Sequence, residues 1–164
     1  SINMHPNYFE LFQLPQNFEL DVADLERRHR TIITRVHPDQ FANKSAAEQR
    51  VAVQWASLAN EAYDTLKSPL LRAQYLLQLN APELADEKTY TALPQAFLIQ
   101  QMQWREALEE GAVDEVRDEV ASAHDSTLQE LAQACAQQNW NDVAQTLAKS
   151  QFIENFIGQL PSIT

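Results

Sequence analysis

Residues 21–39 read Asp21-Val22-Ala23-Asp24-Leu25-Glu26-Arg27-Arg28-His29-Arg30-Thr31-Ile32-Ile33-Thr34-Arg35-Val36-His37-Pro38-Asp39. Asp21 is a side-chain acceptor placed to cap a helix. Val22, Leu25, Ile32, Ile33 and Val36 then gather on one face at helical spacing. Arg27, Arg28 and Arg35 fall on the opposite face, with Arg30 at its edge, and no acid interrupts residues 27–38. Pro38 drives the residue before it into extended geometry, so the helix runs to about Val36 and stops. Ser45-Ala46-Ala47-Glu48 is a capping box. It opens a second helix to about Leu66, with Val51, Trp55, Leu58, Ala62 and Leu66 as its apolar stripe. The two helices are of suitable length to pack antiparallel as a hairpin.

Short elements flank that hairpin. Asn7 with Glu10 caps a short turn over Tyr8–Phe12, closed by Pro15. Ser68-Pro69 supplies an N-cap and a proline at the first helical position, starting a helix to Leu79. Asn80-Ala81-Pro82 then marks a helix stop and a connector. Beyond it three helices are expected over 94–110, 113–138 and 140–160. Gly111 separates the first two, and Asn139 with Asp142 caps the third. The first has a seam of Phe97, Gln101, Trp104 and Leu108. The second runs through Val113, Val116, Val120, Ala123, Thr127, Leu131 and Ala134, and the third through Val143, Leu147 and Ile157, with Phe152 off the seam. Short connections imply antiparallel neighbours. The chain reads as all-α, with an N-terminal module over 4–80, a connector over 81–93 and a three-helix bundle over 94–164.

The 164 residues include 12 Lys plus Arg against 23 Asp plus Glu, a formal net charge of −11. Residues 1–80 carry net −1, whereas residues 81–164 carry net −10. That balance argues against nucleic acid and anionic membrane as main partners. An apolar fraction of 45% excludes a disordered acidic tail. Two glycines are too few for a P-loop or a dinucleotide fingerprint, and a single cysteine, Cys135, excludes a disulfide framework or a multi-thiolate metal site. No stretch approaches eighteen apolar residues, and no charged segment followed by an apolar one opens the chain. A cytoplasmic location is expected. His5, His29, His37 and His124 lie apart without ligand spacing, so neither metal nor cofactor is expected. Nothing is placed to complete an acid–base mechanism around His37 and Asp39, so no enzyme is expected.

Two surfaces remain as candidates. His37-Pro38-Asp39 is either a plain helix stop or an exposed recognition turn, and the arginines are either a solvated face or a field that steers toward an acidic partner. On the helix from Leu93, Leu98, Ile99 and Met102 lie together off the seam, bordered by Glu106, Glu109 and Glu110. Such a second stripe is either buried against the N-terminal module or a binding patch.

Together these segments resemble a J-domain. The pattern is Tyr8-Phe9-x-Leu11-Phe12-x-Leu14-Pro15, the basic helix, His37-Pro38-Asp39 with Phe41, Asn60-Glu61-Ala62-Tyr63 and Leu66. It continues through Ser68-Pro69-Leu70-Leu71-Arg72-Ala73-x-Tyr75-Leu76-Leu77, and Ala96-Phe97-Leu98-Ile99 through Arg105-Glu106 opens the acidic bundle. Over nearly the whole chain this is similar to the HscB family of iron–sulfur co-chaperones. Gln40 stands where that family usually has lysine, and Gln100 and Gln103 stand where it has acids.

The resemblance implies a co-chaperone with no chemistry of its own. Arg27, Arg28, Arg30, Arg35, His37, Pro38 and Asp39 would engage a specialised DnaK-type chaperone, HscA, and stimulate its ATP hydrolysis. Leu98, Ile99, Met102, Glu106, Glu110 and Phe152 would hold the iron–sulfur scaffold protein of the IscU type. The competing readings are a general J-protein delivering unfolded clients and a plain helical adaptor without effect on any ATPase.

Overall fold

The computed structural model describes residues 6–86 and 93–161. Their regular structure is α1 (Tyr8–Leu11), α2 (Val22–Arg35), a 3-10 turn (Pro38–Phe41), α3 (Ala46–Lys67), α4 (Pro69–Asn80), a second 3-10 turn (Pro82–Leu84), α5 (Gln95–Glu109), α6 (Val113–Ala136) and α7 (Trp140–Gln159). The helices start where local chemistry places them. Asn7 accepts from the Glu10 N–H, Asp21 from Ala23 and Asp24, Ser45 from Glu48, Ser68 from Leu71 and Asn139 from Asp142. Each cap satisfies an N–H that a first helical turn leaves without a partner. After α5, Gly111 at φ +89° lets the Ala112 N–H reach back to the Ala107 carbonyl at 2.9 Å.

By contacts the chain forms two compact units, one up to Arg72 and one from Ala73 onward. The division falls inside α4, ahead of the Asn80-Ala81-Pro82 break that the sequence marks. Residues 1–5, 87–92 and 162–164 lie outside the described residues, and with them part of the connector expected over 81–93.

In the first unit α2 and α3 make the helical hairpin, and α1 packs on α3. Phe9, Phe12, Leu25, Ala52, Ala59, Ala62 and Leu66 are its buried core. The α3 stripe therefore needs correction, because Val51 and Trp55 are exposed by 49% and 38%. Alanines let a neighbouring backbone approach closely, so packing selects a face that a count of bulky apolar residues passes over. Val22 likewise stays exposed at the start of α2. Arg72 is buried, donates Nη1 to the Leu66 carbonyl at 2.7 Å and lies over the Phe18 ring at 5.0 Å. It closes the end of α3, whose last carbonyls have no helical donor.

In the second unit α6 packs along α7 and α5 joins α6. Phe97 and Trp104 of α5, Val116 and Val120 of α6, and Ile153 and Phe156 of α7 form one core cluster. The seams expected for α5 and α6 hold, and Cys135 is buried beside the latter. On α7 Val143 and Leu147 are buried, but Ile157 is 40% exposed and Ile153 with Phe156 takes its place. The buried face turns along α7 because its second half meets α5 as well as α6.

Ser150 is 1% exposed in this interior, and its hydroxyl has no hydrogen-bond partner. Stripping a hydroxyl of water without compensation costs about 1–3 kcal/mol. Alanine also has the higher helix propensity. Ser150→Ala should therefore raise stability by about 1 kcal/mol, read as a higher denaturation midpoint at unchanged m-value. A lower midpoint would show that the hydroxyl is paired in solution.

Candidate functional site

The first candidate surface is built on α2 and the turn that follows. Arg27, Arg30, Thr31, Thr34 and Arg35 line a shallow open depression. The Thr31 and Thr34 hydroxyls donate to the Arg27 and Arg30 carbonyls at 3.0 and 2.8 Å, so the guanidiniums are left as its charged donors. Arg27 also reaches Asp24 at 3.1 Å while its side chain stays 61% exposed.

Arg28 does not line this depression. Its Nε donates to Asp24 at 3.0 Å, and its Nη1 donates to the carbonyls of Phe12 at 3.0 Å and Gln13 at 3.3 Å. It fastens the end of α1 to α2 while its side chain stays 39% exposed. The hydrogen bond from Arg28, ahead of that from Arg27 and against some desolvation, holds the Asp24 carboxyl below the usual carboxylate range. The lowered pKa means the Arg28–Asp24 pair is intact near neutral pH and is lost as acid protonates Asp24, whereas the bonds from Arg28 to the Phe12 and Gln13 carbonyls do not depend on that carboxylate.

Val36 caps α2, and His37 opens the 3-10 turn. His37 Nδ1 accepts from the Asp39 N–H at 3.2 Å. An accepting Nδ1 puts the proton of the neutral ring on Nε2. The ring is 53% exposed, and the Asp39 carboxylate, 3.6 Å from Nδ1, is 91% exposed. Pro38 between them is exposed and has φ fixed by its ring. Donor, rigid backbone and carboxylate are thus displayed together at the joint of the hairpin, outside the core. His29, by contrast, is packed between the two hairpin helices. It stacks on Tyr63 at 4.4 Å and its Nε2 lies 2.8 Å from Asn60 Oδ1.

The second candidate surface lies on α5. Phe97 and Trp104 turn into the bundle, and Trp104 Nε1 donates to Glu119 at 3.0 Å. Leu98, Ile99 and Met102 are exposed by 41%, 49% and 66%. Leu98, Met102, Glu106 and Glu110 follow at successive i, i+4 positions, so the apolar stripe runs directly into exposed acids. Phe152 is half-buried and meets the Phe97 ring edge-on at 5.5 Å. It therefore belongs to the bundle wall that covers Phe97, whereas the sequence seam places it apart.

Sequence reasoning passes over Gln49, whose side-chain amide donates to the carbonyls of Phe41 at 3.1 Å and Lys44 at 3.2 Å. Neither spacing nor polarity marks such a bond, because its acceptors are backbone groups. Among the described residues no helix is long and apolar enough to cross a membrane, and no group of three or more His, Cys, Asp or Glu side chains could hold a metal ion.

Comparison with known proteins agrees with this architecture. Residues 93–160 match the family model described as the HSCB C-terminal oligomerisation domain. The chain is 40% identical over 163 residues to the Co-chaperone protein HscB homolog of Bordetella avium, covering 96% of both chains. Among solved structures, it is similar to the chaperone HscB from Vibrio cholerae at TM-score 0.77 and 36% identity, covering 94% of this chain and 95% of the other. It superposes on the human co-chaperone protein HscB at TM-score 0.82 and 28% identity, covering 98% and 83%. A J-domain hairpin followed by an acidic three-helix bundle, matched over 96% of the chain at 40% identity, places the chain in the HscB family of co-chaperones.

Proposed function

We propose that the chain couples an iron–sulfur scaffold protein of the IscU type to a specialised DnaK-type chaperone, HscA, and stimulates that chaperone's ATP hydrolysis. The observation that carries this reading is the exposed His37-Pro38-Asp39 turn at the joint of the hairpin, beside the Arg27, Arg30 and Arg35 face. Exposed side chains on a backbone this constrained contribute little to a core and are free for a partner. The α5 surface takes the scaffold: Leu98, Ile99 and Met102 are its anchors, Glu106 and Glu110 its rim, and Phe152 its wall. The modules over 4–80 and 94–164, joined through 81–93, hold both partners on one chain and so raise the client's effective concentration at the chaperone. The protein works in the cytoplasm, without a cofactor, nucleic acid or membrane, as a partner of cluster transfer to acceptor proteins.

The test measures ATPase rates of the HscA-type chaperone and of DnaK with this protein, with and without scaffold. Stimulation selective for the former and enhanced by scaffold is expected. Stimulation of DnaK by arbitrary unfolded peptides would favour a general J-protein, and no stimulation would leave a plain helical adaptor.

The arginine face makes a kinetic prediction. Arg27→Glu with Arg30→Glu should slow association with the chaperone by about tenfold or more at low salt, with a small change in dissociation. Wild-type association should itself slow as salt rises. Surface-binding kinetics indifferent to both changes would return these residues to the role of a solvated face.

A further inference from the structure

On the chaperone-docking reading above, we infer that Gln49 is a positioning residue that holds the His37-Pro38-Asp39 turn in its docking geometry. At its start the turn is tied weakly: the His37 N–H reaches the Thr34 carbonyl only at 3.5 Å. Inside the turn, the Gln40 N–H reaches the His37 carbonyl at 2.9 Å and His37 Nδ1 takes the Asp39 N–H. Those bonds shape the turn without fixing it to a helix. Its far end is fixed by Gln49, which lies at the end of the first turn of α3 with its own N–H on the Ser45 carbonyl at 3.0 Å. Both amide protons of that side chain are spent, one on Phe41 O at 3.1 Å and one on Lys44 O at 3.2 Å. A rigid helix thus carries a two-pronged donor that grips the last residue of the recognition turn and the loop just after it.

The residue is exposed, so these bonds contribute little to global stability. Their effect is on the population of turn conformations from which a partner must select. A turn already in the bound shape loses less freedom on docking. The chemistry requires donors: alanine offers none, and glutamate, of the same size, offers two acceptors facing two carbonyls. Lysine restores donor capacity on a longer stem.

The experiment titrates the intact protein, as wild type, Gln49→Glu, Gln49→Ala and Gln49→Lys, into the HscA-type chaperone. It records the half-saturating concentration and the maximal ATPase rate, with a melting curve for each variant. Gln49→Glu and Gln49→Ala should raise the half-saturating concentration about five- to tenfold at unchanged maximal rate. Their melting curves should match wild type, because glutamate in the first turns of a helix suits the dipole and alanine suits the helix. Gln49→Lys should return to within about twofold of wild type, and amide exchange over residues 39–44 should be fast in the first two variants only. Half-saturation unchanged in Gln49→Glu and Gln49→Ala overturns the role, as does a defect that lysine fails to rescue. A wild type that stimulates no ATPase removes the docking reading itself, and this role with it.

Discussion

His37→Gln is expected to abolish ATPase stimulation while the protein stays folded and still binds scaffold. The imidazole is 53% exposed and its one close bond is the 3.2 Å cap on the Asp39 N–H. Losing a cap at the end of a surface turn costs about 1 kcal/mol or less, which a cooperatively folded hairpin tolerates. Function is another matter. The ring supplies a planar donor at Nε2 and, through Nδ1, fixes the peptide that carries Asp39. Glutamine keeps polarity but has neither the ring nor a good capping geometry, so donor and carboxylate lose their relation together. The measurement is chaperone ATPase at saturating co-chaperone, paired with a melting curve and a scaffold titration. A folded variant that stimulates like wild type would reject the assignment of this turn to chaperone docking.

Helix ends were readable from the chain alone because they are decided locally. Asn7, Asp21, Ser45, Ser68 and Asn139 each bond a backbone N–H within three residues, and Pro38 and Pro69 act on their immediate neighbours. Helix faces are less legible. The core side of α3 is set by how closely α2 can approach, which favours Ala52 and Ala59 over Val51 and Trp55. The core side of α7 is set by α5 as well as α6, and Phe97 and Trp104 of α5 draw in Ile153 and Phe156. Arg28 shows the same limit in the docking surface. It stands one residue from Arg27 with the same charge, yet backbone carbonyls fifteen and sixteen residues away also tie it to the fold. Arg28→Ala should accordingly lower thermal stability, which separates it from the Arg27 and Arg30 changes.

Leu98→Ala with Met102→Ala should weaken scaffold binding by about thirtyfold or more, about 2 kcal/mol. Both side chains are substantially exposed in the free protein, and neither belongs to the Phe97–Trp104 core cluster. Their truncation should therefore leave the melting curve nearly unchanged. Phe152→Ala behaves differently, because that ring meets Phe97 edge-on at 5.5 Å and covers the cluster. Its loss should lower stability as well as affinity, so it cannot by itself report on recognition. Glu106 and Glu110, exposed at the acidic end of the stripe, should act mainly on association rate and salt dependence, as rim charges do. Calorimetric titration of scaffold into the double variant, beside its melting curve, decides the matter. Normal affinity in a folded Leu98/Met102 variant would remove the client site from α5. A destabilised variant with normal affinity would show that the stripe is a packing surface. Thirtyfold weaker binding at an unchanged melting temperature is the combination that a recognition patch alone produces, since only a surface that is wet in the free protein and dry in the complex can lose affinity without losing stability.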